Sequence, residues 1–167
     1  MLHRLRRFTL PGLLLLCILL YPNLGLAETL SGRVKWIYDG DSIEVAGVGT
    51  VRLLGIDAPE HKPSQRDRYY QRWGIAPATL RRINQAGKTY LIESVKGKTV
   101  VLKTEQKERD RYNRLLAYVY LPDGQLLNRL LLEKGHAVVY RRFDFALRTV
   151  FLEAEAQARC NKRGLWQ

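Results

Sequence analysis

The chain is poor in the residues that staple or organise small proteins through covalent or metal chemistry. It has two cysteines and three histidines. Cys17 lies in an apolar N-terminal segment, which leaves Cys160 with no partner for an internal disulfide once that segment is removed. Cys160, His61 and His136 are far apart and lack zinc-ligand spacing. An EF-hand is excluded too. Counted from Asp39, Glu44 holds the sixth position, which requires glycine, and Thr50 holds the twelfth, which requires glutamate. There is no internal repeat or low-complexity segment, and strands and helices do not alternate regularly as a doubly wound sheet demands. Acidic residues are scarce: 16 against 28 lysines and arginines, for a formal net charge of +12.

The first residues carry Arg4, Arg6 and Arg7, then an apolar run from Leu10 to Leu20, then Gly25-Leu26-Ala27. This is the layout of a secretory signal peptide, with cleavage expected after Ala27 and a secreted or periplasmic product. The competing reading is an uncleaved anchor. A spanning helix needs about 20 apolar residues, and this run is shorter, closed by Pro22 and Asn23. Leu16 is too bulky beside Cys17 for lipoprotein processing. The expected mature chain, residues 28–167, is one domain. It loses three of the 28 basic residues and none of the 16 acidic ones, so a surplus of nine positive charges remains. A surplus of this kind suits a polyanion, and charge alone fits nucleic acid and an anionic membrane surface equally.

From Leu30 onward, short β-rich stretches punctuated by Gly40, Gly47 and Gly49 predict three consecutive antiparallel strands, the third running through Arg52 to Ile56. Asp57-Ala58-Pro59 ends it, since proline cannot extend a ladder. Residues 60–84 are polar and basic and predict a long loop with a short helix around Ala78–Asn84. A helix follows over Gln85–Lys96 and stops at Gly97. Lys98–Thr104 and Leu115–Leu121 predict the remaining strands. Leu127, Leu130 and Leu131 mark a short helix closed by Gly135. A last helix is expected from an N-cap at Asp144, with Leu147, Phe151, Ala154 and Ala158 as its apolar stripe. Five short strands with interleaved helices predict an α+β fold built on a small five-stranded OB-type barrel with about three helices, a form that commonly binds oligonucleotides.

Three charged clusters fall at predicted strand ends: Asp39-Gly40-Asp41; Arg52 with Asp57-Ala58-Pro59-Glu60; and Arg109 to Arg114. Each has a plain explanation as a turn or a solvated loop. Together they supply two carboxylates and a backbone carbonyl suited to Ca²⁺, guanidiniums that grip phosphate through paired hydrogen bonds, and a free carboxylate able to take a proton from water. Arg52, flanked by apolar residues, is expected at an inward-facing position, where it needs an anionic partner.

The segments Asp39-Gly40-Asp41-Ser42-Ile43, Val51 to Glu60 and Asp110 to Tyr118 together resemble the staphylococcal nuclease-like (thermonuclease) family, over about Ser31 to Trp166. The resemblance implies an OB-fold barrel and a Ca²⁺-dependent nuclease acting on DNA and/or RNA to leave 3′-phosphate ends. It implies Asp41, Asp57 and the Ala58 carbonyl as metal ligands, and Arg52, Glu60 and Arg114 as the catalytic set. Arg111 and Tyr112 resemble residues that contact a nucleotide's terminal phosphate, and Tyr140 lies near a base-stacking position. No stable protein partner is implied, and a monomer is expected. Asn113 stands where the family often has glycine, a change that asparagine's tolerance of left-handed geometry absorbs. The stretch from Lys62 to Asn84 is longer than the family pattern. The alternative function is a non-catalytic nucleic-acid-binding module of the same fold, exported to the cell envelope.

Overall fold

The computed structural model describes residues 29–167, apart from the side chains of 106–108. The proposed signal segment, residues 1–27, therefore lies outside the described residues. β1 (Thr29–Ile37), β2 (Ser42–Val45) and β3 (Gly49–Leu53) form an antiparallel meander. β5 (Thr99–Arg109) and β6 (Leu115–Tyr120) pair with each other and close the sheet into a barrel of order β1-β2-β3-β6-β5. The closing seam is parallel, with Val51 opposite Leu115 and Leu53 opposite Ala117. This closed barrel, with three helices of seven residues or more, is consistent with an OB-fold α+β architecture.

Alternation decides what fills the barrel. Ile43, Val45, Val51, Leu53, Val100, Leu102, Ala117 and Val119 are all buried. Arg52, between two fully buried neighbours, therefore projects from the opposite face. The expectation of an inward Arg52 is thus corrected. Its side chain is still only 12% exposed, because the chain beyond β3 folds over it.

That fold-over begins at Gly55, whose φ of +79° turns the chain out of the barrel. The third strand accordingly stops at Leu53 instead of running to Ile56. Two-residue β4 (Ile56–Asp57) pairs instead with β7 (Val138–Val139) outside the barrel. A five-residue helix, α1 (Asp67–Gln71), lies in the long loop. α2 is one 19-residue helix, Pro77–Val95, with proline in its first turn, and it merges the two segments expected on either side of Asn84. Leu80, Ile83, Gly87, Leu91 and Val95 form its buried stripe. α3 is Leu127–Glu133 and α4 is Arg148–Cys160. α4 starts four residues after Asp144, whose carboxylate pairs with Arg148 in place of capping backbone N–H groups. Its stripe is as expected, with Phe151, Ala154 and Ala158 buried.

A second, smaller cluster gathers Tyr70, Ile75, Leu80, Ile83, Val138 and Leu165 outside the barrel. Trp166 joins it, with its ring 5.4 Å from that of Trp73. The chain end is fastened by a close backbone approach. The Leu165 N–H donates to the Gly135 carbonyl at 2.9 Å, and a Cβ on Gly164 would come within 2.3 Å of that oxygen. Among the described residues, no helix is long and apolar enough to cross a membrane.

Candidate active site

Two turns and one long loop bring the charged clusters to one side of the barrel. The β1–β2 turn presents Asp41, which is 2% exposed. Its Oδ2 accepts the Ala58 N–H at 2.8 Å, and its Oδ1 accepts the Ser42 hydroxyl at 3.0 Å. Asp41 thus ties the β1–β2 turn to the segment after β4. Arg52, one residue before the end of β3, forms ion pairs with both Asp41 and Asp57, the latter at 2.8 Å.

The Tyr70 hydroxyl donates toward the Asp57 carbonyl and Oδ2, at 3.1 and 3.2 Å. Burial pushes this phenol's pKa up, which keeps it a donor. Pro59 is held from behind by Asn84 of α2, whose side-chain N–H donates to its carbonyl at 2.7 Å. Glu60 follows, half-buried, at the cleft wall.

Arg114 enters from the β5–β6 turn. Asp110 Oδ1 accepts the N–H groups of Tyr112 and Arg114 at 2.9 and 3.0 Å, and Asn113 takes a φ of +62°. The left-handed asparagine fulfils the sequence expectation. Asp110 Oδ2 holds the Arg114 guanidinium at 2.7 Å, and Arg114 Nη1 lies 3.2 Å from the Ser42 hydroxyl. Burial alone would raise the Asp110 pKa, but the hydrogen bonds from Arg114 and Tyr112 outweigh it and hold the carboxyl below its usual range.

A third cleft guanidinium is absent from the sequence reading. Arg66, just before α1, pairs with Asp57 and, at 2.5 Å, with Glu60. Only the course of the loop carries position 66 back over positions 57 and 60, so no spacing or motif could have singled it out. The Arg52 pKa is lowered to about 10, chiefly by burial, with like-charge repulsion from Arg114 and Arg66 adding to it. Three guanidiniums thus crowd this side of the cleft, each held by carboxylate partners.

The cleft is an open cavity of about 2090 Å³. Arg52, Asp57, Glu60, Arg111, Tyr112, Arg114 and Tyr140 all line it, while Asp41 and Ala58 lie in the buried layer behind. Tyr112 is 63% exposed, and the Arg114 guanidinium lies 5.4 Å from its ring centre. Every sequence-predicted site residue therefore falls in the cleft or directly behind it. Among the described residues no group of three or more His, Cys, Asp or Glu side chains is gathered as a metal cluster. The donor set that does converge is smaller. One guanidinium satisfies both Asp41 and Asp57, so two hard carboxylate oxygens sit within reach of a single positive centre. Carboxylate oxygens of this kind are the hard ligand type that Ca²⁺ takes, with water able to complete the shell.

A closed OB-type barrel carrying paired carboxylates and converging guanidiniums defines a class of oligonucleotide- and phosphate-handling proteins. Within it, the chain belongs to the staphylococcal nuclease homologue family, matching over residues 50–167. It is similar to an endonuclease of Escherichia coli O157:H7, 37% identical over 145 residues, covering 84% of this chain and 80% of the relative. It is also similar to the protein MJ1439 of Methanocaldococcus jannaschii, 34% identical over 151 residues and covering 83% and 72% of the two chains. A micrococcal nuclease of Shigella flexneri is 32% identical over 146 residues, covering 81% and 72%.

Proposed function

We propose that this protein is an exported nuclease that hydrolyses phosphodiester bonds of DNA and/or RNA with the help of Ca²⁺ and leaves 3′-phosphate ends. The observation that carries the proposal is the convergence of Arg52, Asp57, Glu60 and Arg114 on one cleft with Asp41 directly behind. Family membership and the nuclease relatives support the same reading.

Asp41, Asp57 and the Ala58 carbonyl would hold the metal, which when bound supplies Lewis acidity toward a phosphate oxygen. The protein's own groups do the rest. Arg52 and Arg114 grip the non-bridging oxygens of the scissile phosphate by charge-assisted hydrogen bonds. Glu60 accepts a proton from a water molecule whose oxygen forms the new bond to phosphorus. The bond from phosphorus to the 5′ oxygen breaks, and solvent returns a proton to that oxygen. Arg114, permanently charged, donates a hydrogen bond to it as it leaves. Arg111 and Tyr112 contact the terminal phosphate, and Tyr140 offers a ring to a base. We read residues 1–27 as a removable export signal and residues 28–167 as the mature domain, acting outside the cytoplasm. Amino-terminal sequencing of the exported protein should then begin at Glu28.

The decisive measurement is digestion of single-stranded DNA by the purified protein. Cutting should require Ca²⁺, stop with EDTA, and fall by about 100-fold or more for Glu60→Gln, the usual scale of a lost general base. End-labelling of the products should find phosphate at the 3′ side. Undiminished cutting in EDTA would remove the metal from the scheme, and tight DNA binding without cutting would favour the non-catalytic alternative.

A further inference from the structure

The cleft is larger than its catalytic residues require. A pocket for one drug-sized ligand occupies roughly 300–1,000 Å³, and this cavity is about 2090 Å³. The surplus lies toward α1 on one side and the segment after β7 on the other, because Arg68, Tyr69 and Arg72 line the same space as Tyr140, Arg142 and Phe143. The two walls come close: the Arg141 guanidinium lies 5.7 Å from the Trp73 ring centre, and Trp73 is 4.8 Å from Tyr69.

The charges here differ from those at the catalytic centre. Arg52, Arg66 and Arg114 all have carboxylate partners. Among the described residues, Arg68, Arg72 and Arg142 form no ion pair, and all three are exposed. Arg68 and Arg72 are four residues apart, so the α1 turn presents them on one face. The wall also carries aromatic rings. Phe143 is 41% exposed, with its ring 5.1 Å from that of Tyr140, and Tyr69 stands under the Arg72 guanidinium at 4.7 Å. Cations without ion-pair partners, interleaved with partly exposed aromatic rings, form the surface that tracks an unpaired nucleic-acid strand. The cations meet successive phosphates, and the rings take bases that a duplex would keep stacked.

We propose that Arg68, Tyr69 and Arg72 of the α1 wall, facing Tyr140, Arg142 and Phe143, form an extended subsite that holds further nucleotides of a single-stranded DNA or RNA substrate beyond the one being cut. The subsite rests on the nuclease reading and deepens it, making the enzyme one that gains from substrate length. α1 lies in the long loop between β4 and α2, so the wall is built from a segment outside the barrel.

Two measurements on the whole protein test it. In cleavage assays, the ratio of kcat/KM for an octanucleotide to that for a dinucleotide should exceed one. It should drop by about tenfold or more in the Arg68→Ala/Arg72→Ala double variant, the scale of one lost stacking or charge-assisted contact. In EDTA, where binding is read without turnover, fluorescence anisotropy of a labelled single-stranded octanucleotide should give a salt dependence shallower by about 1.4 in the double variant, as expected for two lost phosphate contacts. A duplex of the same sequence should lose less affinity than the single strand in a Tyr69→Ala/Phe143→Ala variant. Binding that follows this pattern without cutting would leave the subsite standing while removing the nuclease. Cutting with an unchanged length ratio, together with an unchanged salt slope, would overturn the subsite and leave the nuclease intact.

Discussion

At the scale of single residues, Arg52 has two tasks that pull against each other. It neutralises Asp41 and Asp57, whose side chains are 3% and 8% exposed, and it is also the proposed phosphate ligand. Removing one partner from a buried ion pair costs about 3–5 kcal/mol because the other charges stay buried and uncompensated. Arg52→Leu should therefore lower stability by about 3 kcal/mol in EDTA. Ca²⁺ should then raise the variant's melting temperature more than the wild type's, since a cation replaces the missing guanidinium. An equal rise in both proteins would separate these carboxylates from metal binding. The proposed catalytic residues were legible in the sequence because they cluster at strand ends in contiguous motifs. Arg66 was not, since its partners lie six and nine positions earlier in an irregular loop. Glu155 was equally hidden: it sits within an apolar helix stripe, 2% exposed, yet it accepts the Val139 N–H at 3.0 Å and pairs with Arg141.

At the scale of elements, the turn at Gly55 decides where the carboxylates go. Its Cβ, if present, would lie 2.7 Å from the Phe145 ring, and its carbonyl accepts the Tyr140 N–H at 2.9 Å. Left-handed geometry costs a substituted residue roughly 1–2 kcal/mol, and overpacking costs about 1–3 kcal/mol more. Gly55→Ala should lower the urea midpoint accordingly, by about 2 kcal/mol or more in stability. It should also weaken cleavage, because Asp57 and Glu60 hang from the displaced turn. A variant as stable and active as the wild type would mean that the turn does not position them. The long strands and α3 were readable from alternation and helical spacing. β4, β7 and α1, with two, two and five residues, are too short for any periodicity to register. The continuity of α2 was masked because residues 60–84 are polar and basic and read as one loop ending at Asn84, although Pro77 in the first turn of α2 is an ordinary helix start.

At the scale of the whole molecule, acid should unfold the protein partly through His136. Burial, with Lys134 adding repulsion, lowers its pKa from 6.5 to about 4, and its buried Nδ1 has no hydrogen-bond partner among the described residues. Between these values the unfolded chain binds a proton that the folded one refuses. The contribution is therefore present in full above about 6.5 and is lost as pH falls toward about 4, with an upper bound of about 3 kcal/mol. Denaturant titrations across that range should show a flatter slope for His136→Gln than for the wild type, and parallel slopes would place the acid sensitivity elsewhere. The seam that closes the barrel has a consequence for how the enzyme comes into being. β3 pairs with β6 and β1 with β5, so Asp41, Arg52, Asp57 and Glu60 belong to the earlier part of the chain and Arg114 to the later. A ribosome that has released only the first hundred or so residues has delivered neither a closed barrel nor the full set of cleft guanidiniums. Partial chains should therefore be inert, and a gene cut between the two parts should regain cutting only if the fragments find each other and zip along that seam.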